Sequence, residues 1–223
     1  MITLRVEVPY ASFRKSYARS FAETYPLPPP ATVYGMLLSL VGERFRQKHE
    51  GVRLAFAYKS IPPIATTLRK LSRYKYGVPG KQTKLGNAPD FIETLCNIEF
   101  LCWVDSSLEK DDARNLEARV IEAIESPDKV DRYGLLCLGL SDDAVNNVSI
   151  CRHIEDEWHR LIPSHAGSME LPVWVDHVGS ARTRWNRYHL EPVAKTLSSS
   201  PGDDDWRWTE IIAPTEKDGP SRI

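Results

Sequence analysis

The run Pro28-Pro29-Pro30 constrains the fold of this sequence more than any other feature. Proline fixes φ and lacks an amide hydrogen, so three in succession hold the backbone extended and exclude a helix interior. Apolar residues then recur at spacings of three, four and seven, at Val33, Met36, Leu37, Leu40, Val41 and Phe45. This period predicts an amphipathic helix from Thr32 to about His49, with the Thr32 hydroxyl as its N-cap and Gly51 as its stop.

Alternating apolar and polar residues predict strands on both sides of this helix, over 2–8 and 52–58. A third strand is expected over 98–104, followed by a helix that a Ser106/Glu109 capping box would open and Pro127 would end. The apolar stretch 133–143 reads as a fourth, buried strand that runs into a turn. This order predicts an α+β fold, a ferredoxin-like (RRM-like) βαββαβ domain with two helices on one face of a single sheet.

The chain divides into three regions on this interpretation. The ferredoxin-like domain spans 1–150, and a β-rich C-terminal extension spans 151–196, with further strands expected over 146–154 and 171–178. The Ser-, Pro-, Gly- and Asp-rich segment 197–223 predicts a flexible tail. The length of 223 residues and the hydrophobic fraction of 42% fit one globular domain with an elaboration.

An insertion over 61–95 separates the second and third strands, and it is basic and aromatic. No acidic residue occurs from Pro63 to Pro89, and segment 66–76 is predicted to form one arm of a β-hairpin. Cations pair with phosphates and tyrosine rings stack on bases, so the insertion favours binding of single-stranded RNA. A solvated surface loop is the alternative. The residues concerned are Arg69, Lys70, Arg73, Tyr74, Lys75, Tyr76, Lys81 and Lys84.

Two other segments combine cations with aromatic rings. The first, 11–24, is either a short helix or an ordered loop; it carries Phe13, Arg14, Lys15, Tyr17, Arg19 and Phe21. The second lies over 182–188, with three arginines beside Trp185 and Tyr188. Because the formal net charge of the whole chain is −1, any anion-binding surface has to be local.

Patterns of catalytic and metal-binding residues give no support for an enzyme with a cofactor. The six histidines form neither H-E-x-x-H nor a zinc spacing, and no metal or other cofactor is expected. The four cysteines lack C-x-x-C spacing, which indicates reduced thiols in a cytoplasmic protein. No segment has the roughly 20 apolar residues of a membrane span, so no membrane partner is expected. Lys48-His49 could serve metal-free RNA cleavage, although cations at a helix C-terminus also stabilise its dipole.

The entry into the first helix, Pro28-Pro-Pro-Ala-Thr-Val-Tyr-Gly-Met-Leu37, resembles that of the CRISPR-associated protein 5 family, which belongs to the RAMP superfamily. The stretch Tyr133-Gly-Leu-Leu-Cys-Leu-Gly-Leu-Ser-Asp-Asp143 is similar to the family's leucine-glycine turn. Here Leu140-Ser141-Asp142 stands where the family usually has arginine-serine-glutamate. The basic insertion matches the position of the family's thumb hairpin. The resemblance covers residues 1–150, and the helix entry is most similar to members of type I-B systems.

This resemblance implies a non-catalytic subunit of a type I Cascade surveillance complex, in antiviral defence or guided DNA targeting. Such a subunit would bind the 5′ handle of the crRNA, contact the Cas seven backbone subunit and the Cas eight large subunit, and meet target DNA only indirectly. The RNA-binding residues expected in addition to those of the insertion are Arg14, Lys15, Arg19, Thr32, Tyr34 and Gly35.

Two alternatives remain open. In one branch of the family, in type I-C systems, the protein is a metal-independent endoribonuclease that processes crRNA with tyrosine, lysine and histidine. Tyr34 lies near the region of that tyrosine. The other alternative is a scaffold that binds only proteins and has no contact with RNA.

Overall fold

The structure is a computed structural model of the chain. The residues it describes are 1–18, 21–73, 86–110, 114–154, 157–178, 180–192 and 208–214, with only the backbone described over 69–73 and 86–89.

The described residues form ten strands and two α-helices. The strands are β1 (Ile2–Ala11), β2 (Phe21–Ala22), β3 (Arg53–Tyr58), β4 (Ile64–Arg73), β5 (Gly86–Asp105), β6 (Asn147–Ile150), β7 (His159–Pro163), β8 (Met169–Trp174), β9 (Arg184–Pro192) and β10 (Thr209–Glu210). The helices are α1 (Pro30–Leu40) and α2 (Leu116–Glu125), and short 3₁₀ turns cover Arg46–His49 and Pro127–Lys129.

All ten strands belong to one sheet, whose main order is β6-β1-β5-β3-β7-β9-β8. The first four of these strands pair antiparallel, and the registers place Leu4 opposite both Cys102 and Ile150, and Phe56 opposite Cys102. The chain passes through α1 between β1 and β3, and through α2 between β5 and β6. The later strands β7, β9 and β8 continue the same sheet beyond β3, also antiparallel.

One face of the sheet and both helices share the main apolar core. The even-numbered residues Leu4, Val6 and Val8 of β1 lie in it, and so do Val33 and Leu37 of α1. Because successive side chains of a strand point to opposite faces, this alternation is the pattern that the sequence predicts for β1. Of the helix residues expected to be apolar and buried, Phe45 is the exception, since it lies beyond the end of α1 and is exposed.

The opposite face is covered in the middle of the sheet by a second, smaller core. It is formed by Ala55, Ala57, Leu101, Trp103, Ile154 and Trp158. As a result, β3 is buried on both faces from Leu54 onward. The segment after β6 covers this face with Ile154 and Trp158. Beneath this cover the small Ala55 of β3 lies opposite the large Trp103 of β5.

Strand β4 pairs antiparallel with the first half of β5, from Ile64 opposite Leu95 to Arg73 opposite Gly86. We call residues 64–73 and 86–95 the two-strand arm. The predicted strand over 66–76 is observed as β4 up to residue 73. Residues 74–85 lie outside the described part of the chain.

Several sequence-based boundaries are wrong. Stretch 133–143 is not a strand: it contains Gly134 and Gly139 with positive φ, and the fourth strand of the core is β6 instead. Helix α1 ends at Leu40, well before His49. Thr32 is not its N-cap, because Pro29 occupies that position and supplies no side-chain cap.

The start of α2 also differs from the predicted capping box. The helix begins after Asn115, whose side chain accepts a hydrogen bond from the Ala118 amide at 2.9 Å. The two residues predicted to cap it still reach its first turn from a distance in sequence. The Ser106 hydroxyl accepts from the Glu117 amide at 3.0 Å, and the Glu109 carboxylate accepts from the Leu116 amide at 3.0 Å.

The expectation of a flexible tail is wrong for its described part. Strand β10 pairs with the first two residues of β3, Ile211 is fully buried, and its amide donates to the Val52 carbonyl at 2.9 Å. The Ser- and Asp-rich composition does not predict this ordered segment, because only two strand residues and one buried isoleucine hold it against the sheet. In the part of the chain that the structure describes, neither helix has the length and apolar composition to span a bilayer.

Candidate nucleic-acid interface

Helix α1 begins abruptly because its N-terminus is built from proline. Pro29 and Pro30 have no amide hydrogen, and Pro30 is the first helical residue. The amides of Thr32 and Val33 both donate to the Pro29 carbonyl, at 2.9 and 3.0 Å. The first turn therefore has few backbone donors left for a phosphate, in contrast to an ordinary helix N-terminus.

The glycine turn near residue 139 is fixed against the end of β1. One carboxylate oxygen of Asp143 accepts from the Ser12 amide at 2.8 Å and from the Leu140 amide at 2.9 Å. Gly139 has φ +110°, a conformation that favours glycine. The turn is thereby held beside the start of α1, although these segments lie more than 100 residues apart in sequence.

Two adjoining surface cavities of about 220 and 330 Å³ lie between this turn, α1 and the strand β8. Both are lined by Thr32, Gly139 and Val175, and we call them together the Thr32 groove. The first cavity is also lined by Arg14 and Trp185, and the Trp185 ring lies 6.0 Å from that of Tyr25. The groove thus brings together residues from four distant parts of the chain.

The second cavity is bordered by an arginine that stacks on a tryptophan. The Arg46 guanidinium lies 4.5 Å from the centroid of the Trp174 ring and donates to the Val175 carbonyl. Arg46 also accepts, through its carbonyl oxygen, a hydrogen bond of 2.6 Å from the Tyr34 hydroxyl. The Tyr34 hydroxyl and the Arg46 guanidinium are thus both bound within the protein.

The predicted contact residues at the N-terminal end have unequal access to solvent. Arg14 is exposed and donates to the Ala18 carbonyl at 2.7 Å. Lys15 is half-buried and lies 3.0 Å from a carboxylate oxygen of Glu23, and this hydrogen bond raises the pKa of Lys15. The one lysine of this set that the structure describes is therefore partly neutralised by a neighbour.

Tyr34 and Gly35 lie side by side on α1 but differ in access. Tyr34 is buried, and this burial raises the pKa of its hydroxyl far above the ordinary value. Gly35 is exposed, and a Cβ atom added to it would meet no atom within 4 Å. Gly35 therefore leaves an open surface in the second cavity of the Thr32 groove, which Tyr34 also lines.

The β4 strand of the two-strand arm is exposed near its start. All five residues from Ile64 to Leu68 are exposed, and consecutive strand residues point to opposite faces. β4 pairs with β5 alone, and the β5 residues opposite it are more buried, with Leu95 in the main core. The backbone of β4 carries Arg69, Lys70 and Arg73 onward along this ribbon.

The remaining predicted contacts fall where the structure gives no side chains. Those of Arg69, Lys70 and Arg73 are not described, and Arg19, Tyr74, Lys75, Tyr76, Lys81 and Lys84 lie outside the described residues. The predicted role of these residues in RNA binding stays a prediction.

Sequence reasoning missed the residues that shape the groove. The sequence pattern places Asp143 only in a turn after a predicted strand, and it gives Trp174 no signal beyond an apolar strand. Trp185 belongs to the basic-aromatic segment 182–188, in which Tyr188 and Arg184 serve the fold. Tyr188 is buried and its hydroxyl lies 3.0 Å from that of Thr209, and Arg184 donates to the Ile212 carbonyl.

The Lys48-His49 pair has a structural explanation. His49 is almost fully buried, with Nδ1 2.8 Å from a Glu109 oxygen and Nε2 3.0 Å from the Arg119 guanidinium. Because a guanidinium can only donate, Nε2 accepts and Nδ1–H donates to Glu109. Lys48 is bound to Glu43 at 3.0 Å. His49 therefore lies away from the surface, whereas Lys48 is exposed.

No group of three or more potential metal ligands occurs among His, Cys, Asp and Glu of the described ranges.

A family profile and a related protein both match this chain, and they belong to the same family. The profile of the family described as "CRISPR-associated protein (Cas_Cas5)" matches residues 1–87. A "CRISPR-associated protein Cas5" of Myxococcus xanthus (strain DK1622) is 38% identical over 202 residues, which cover 86% of this chain and 91% of that protein.

Two solved structures with a similar fold are described as CRISPR or Cas proteins. A chain of a "CRISPR RNA-guided surveillance complex" has a TM-score of 0.62 over 92% of this chain and 95% of that chain, at 12% identity. A second solved structure, described as "Crystal structure of Cas protein", has a TM-score of 0.50. It covers 87% of this chain and 95% of that chain, also at 12% identity. At this identity the two likenesses concern the fold, whereas the identity to the Myxococcus protein is high enough over nearly its whole length to decide the family. This chain belongs to the CRISPR-associated protein Cas5 family.

Proposed function

We propose that this chain is a non-catalytic subunit of a CRISPR RNA-guided surveillance complex and that it binds the 5′ handle of the crRNA. The two-strand arm is the observation on which the proposal depends. Near its base the β4 strand is exposed at five consecutive residues, and the sequence between Pro63 and Pro89 contains six cations and no acidic residue. Such a strand would offer its cations to RNA phosphates.

The fold supports this proposal. We interpret the strands β6-β1-β5-β3 with the two helices as a ferredoxin-like domain, and the two-strand arm as the thumb hairpin of the family. The similarity to a chain of a surveillance complex is in line with assembly beside a Cas seven backbone subunit and a Cas eight large subunit. The Thr32 groove, next to the exposed Gly35, would receive part of the handle.

A triple substitution on the arm tests the proposal. Arg69→Ala, Lys70→Ala and Arg73→Ala together should weaken binding of handle RNA by the complete chain and by the reconstituted complex. Each phosphate contact on single-stranded RNA contributes about 0.7 to the slope of log affinity against log salt, so the slope should fall by about 2.

The matched control removes the same charge elsewhere. Lys110→Ala, Lys129→Ala and Arg152→Ala replace three exposed cations that are not on the arm. If both triple variants have the same affinity and the same salt slope, the arm is not the RNA-binding element, and a protein-binding scaffold becomes the better interpretation.

Cleavage of RNA is tested separately. Purified protein is incubated with repeat RNA in EDTA, and we expect the RNA to stay intact. A discrete product would overturn the non-catalytic role and favour the metal-independent endoribonuclease. The environments of Tyr34 and His49 support the intact result, because both side chains are buried and hydrogen-bonded within the protein.

A further inference from the structure

Three exposed apolar side chains form a row across the base of the two-strand arm. Phe91 of β5 lies opposite Leu68 of β4 and also opposite Phe21 of β2. Residues directly opposite one another project from the same face of a sheet. All three are far more exposed than is usual for large apolar side chains, with 60% exposure for Leu68, 42% for Phe91 and 43% for Phe21.

The two phenylalanines form a ring pair. The Phe21 and Phe91 centroids lie 6.3 Å apart, with an angle of 31° between the ring planes. The pair exists because β2 runs parallel to β5 at this point, which joins the basic-aromatic segment 11–24 to the insertion 61–95. Both side chains are exposed, and each comes from a segment that is rich in cations.

The surroundings favour a nucleic acid over an apolar protein partner. The residue after Leu68 in β4 is Arg69, followed by Lys70, and exposed threonines precede it. The nearby carboxylate of Glu93 accepts a hydrogen bond from the Thr24 amide at 3.0 Å, and Asp90 lies opposite Arg69. Aromatic rings next to cations are the usual composition of a surface that stacks bases and neutralises phosphates.

We propose that Phe21 and Phe91 form a platform on which nucleobases of single-stranded RNA stack, with Leu68 extending its apolar edge. This inference rests on the proposed RNA-binding function and adds two residues to it. The platform lies where β2 meets the arm, so a strand held by the cations of the arm would place its bases on the rings.

The test separates the π surface from the apolar area. The double variant Phe21→Leu/Phe91→Leu keeps the apolar area but removes the rings, and Phe21→Ala/Phe91→Ala removes both. Loss of one stacked base weakens binding of single-stranded nucleic acid about tenfold or more. We therefore expect both double variants to bind handle RNA at least tenfold more weakly, with an unchanged salt slope.

Photo-crosslinking reports the contact directly. The complex is reconstituted with a synthetic guide RNA that carries 5-iodouridine in the handle, and crosslinked peptides are identified by mass spectrometry. We expect crosslinks to Phe21 or Phe91 in the wild type. Phe45→Leu is the control, because Phe45 is an exposed phenylalanine outside the platform, and it should leave affinity and crosslinking unchanged.

The outcomes distinguish the platform from the function on which it rests. If the arm cations determine the salt slope while the Phe→Leu variant binds like the wild type, the RNA-binding function holds and the platform is wrong. If only the Ala variant loses assembly of the complex, the row binds a protein, and the platform is again wrong. If wild-type protein has no salt-dependent affinity for handle RNA, both the RNA-binding function and the platform are wrong.

Because both rings are exposed, unchanged melting temperatures should show that the variants fold.

Discussion

At the scale of single residues, Glu43 is the centre of a polar network that joins the end of α1 to α2. Its carboxylate lies 2.6 Å from the Arg119 guanidinium and 3.0 Å from the Lys48 amine. Arg119 also donates to the Val41 carbonyl at 2.9 Å and to His49 at 3.0 Å. Burial by itself would raise the pKa of Glu43, but the hydrogen bonds from Arg119, Phe45 and Lys48 outweigh it and lower the pKa to about 2.

We expect Glu43→Gln to lower the free energy of unfolding by about 2 to 3 kcal/mol at neutral pH, because it removes charge-assisted hydrogen bonds to Arg119 and Lys48. The pKa of this carboxyl is lower in the folded chain than its ordinary value of 4.5. Its stabilising effect is therefore complete above that value and is lost as the pH falls toward 2. The difference between wild type and variant should shrink over the same range.

Urea unfolding at pH 7, 5 and 3 measures this difference. Glu125→Gln is the control, since Glu125 lies exposed at the end of α2 and its loss should change the stability little at any pH. A destabilisation by Glu43→Gln that stays constant from pH 7 to pH 3 would contradict the ionic role of this carboxylate.

At the scale of elements, the two helices begin in different ways. α2 has an ordinary N-cap, Asn115, supported by Ser106 and Glu109 from the preceding loop. α1 has no side-chain cap, and its start is set by Pro29 and Pro30. The proline ring fixes φ near the helical value and has no amide to satisfy, so a cap is not needed there.

A pair of matched substitutions tests this difference. Asn115→Ala should lower the free energy of unfolding by about 1 kcal/mol, the usual effect of losing an N-cap. Thr32→Ala, at the position that the sequence pattern assigns as N-cap, should change it by less than about 0.5 kcal/mol. Denaturant unfolding of both variants measures the two values. Equal losses would mean that the Thr32 hydroxyl caps α1 after all.

At the scale of the whole molecule, the C-terminal segment completes the edge of β3. Strand β7 pairs with Phe56–Tyr58, and β10 pairs with Arg53 and Leu54 beside it. Ile211 follows β10 and enters the main core, and the Thr209 hydroxyl lies 3.0 Å from that of Tyr188 on β9. The last described residues therefore stabilise the centre of the sheet.

Ile211→Ala should lower the free energy of unfolding by about 2 to 4 kcal/mol, because it leaves a cavity in a fully buried site. Ile212→Ala is the matched control, since the neighbouring side chain is only partly buried and its loss should have a clearly smaller effect. Thermal or urea unfolding of the two variants provides the comparison. Equal effects would show that Ile211 does not pack in the core in solution.

Local patterns determined the elements whose side chains follow one period. The alternation in Ile2 to Val8 predicts β1, and the spacing of Val33, Met36 and Leu37 predicts the buried side of α1, because a strand and a helix repeat after two and 3.6 residues. The concentration of cations between Pro63 and Pro89, and its place between the second and third strands of the core, can also be read directly from the sequence.

Only the tertiary structure decided which distant segments meet. The fold of the turn at Gly139 depends on the Asp143 hydrogen bond to Ser12, and the burial of Ile211 depends on the free edge of β3. The Phe21/Phe91 pair depends on a two-residue parallel strand. Such contacts join residues far apart in the chain and involve too few positions to produce a periodic pattern. These contacts form only when the whole molecule packs, so the local periodicity of the sequence does not predict them.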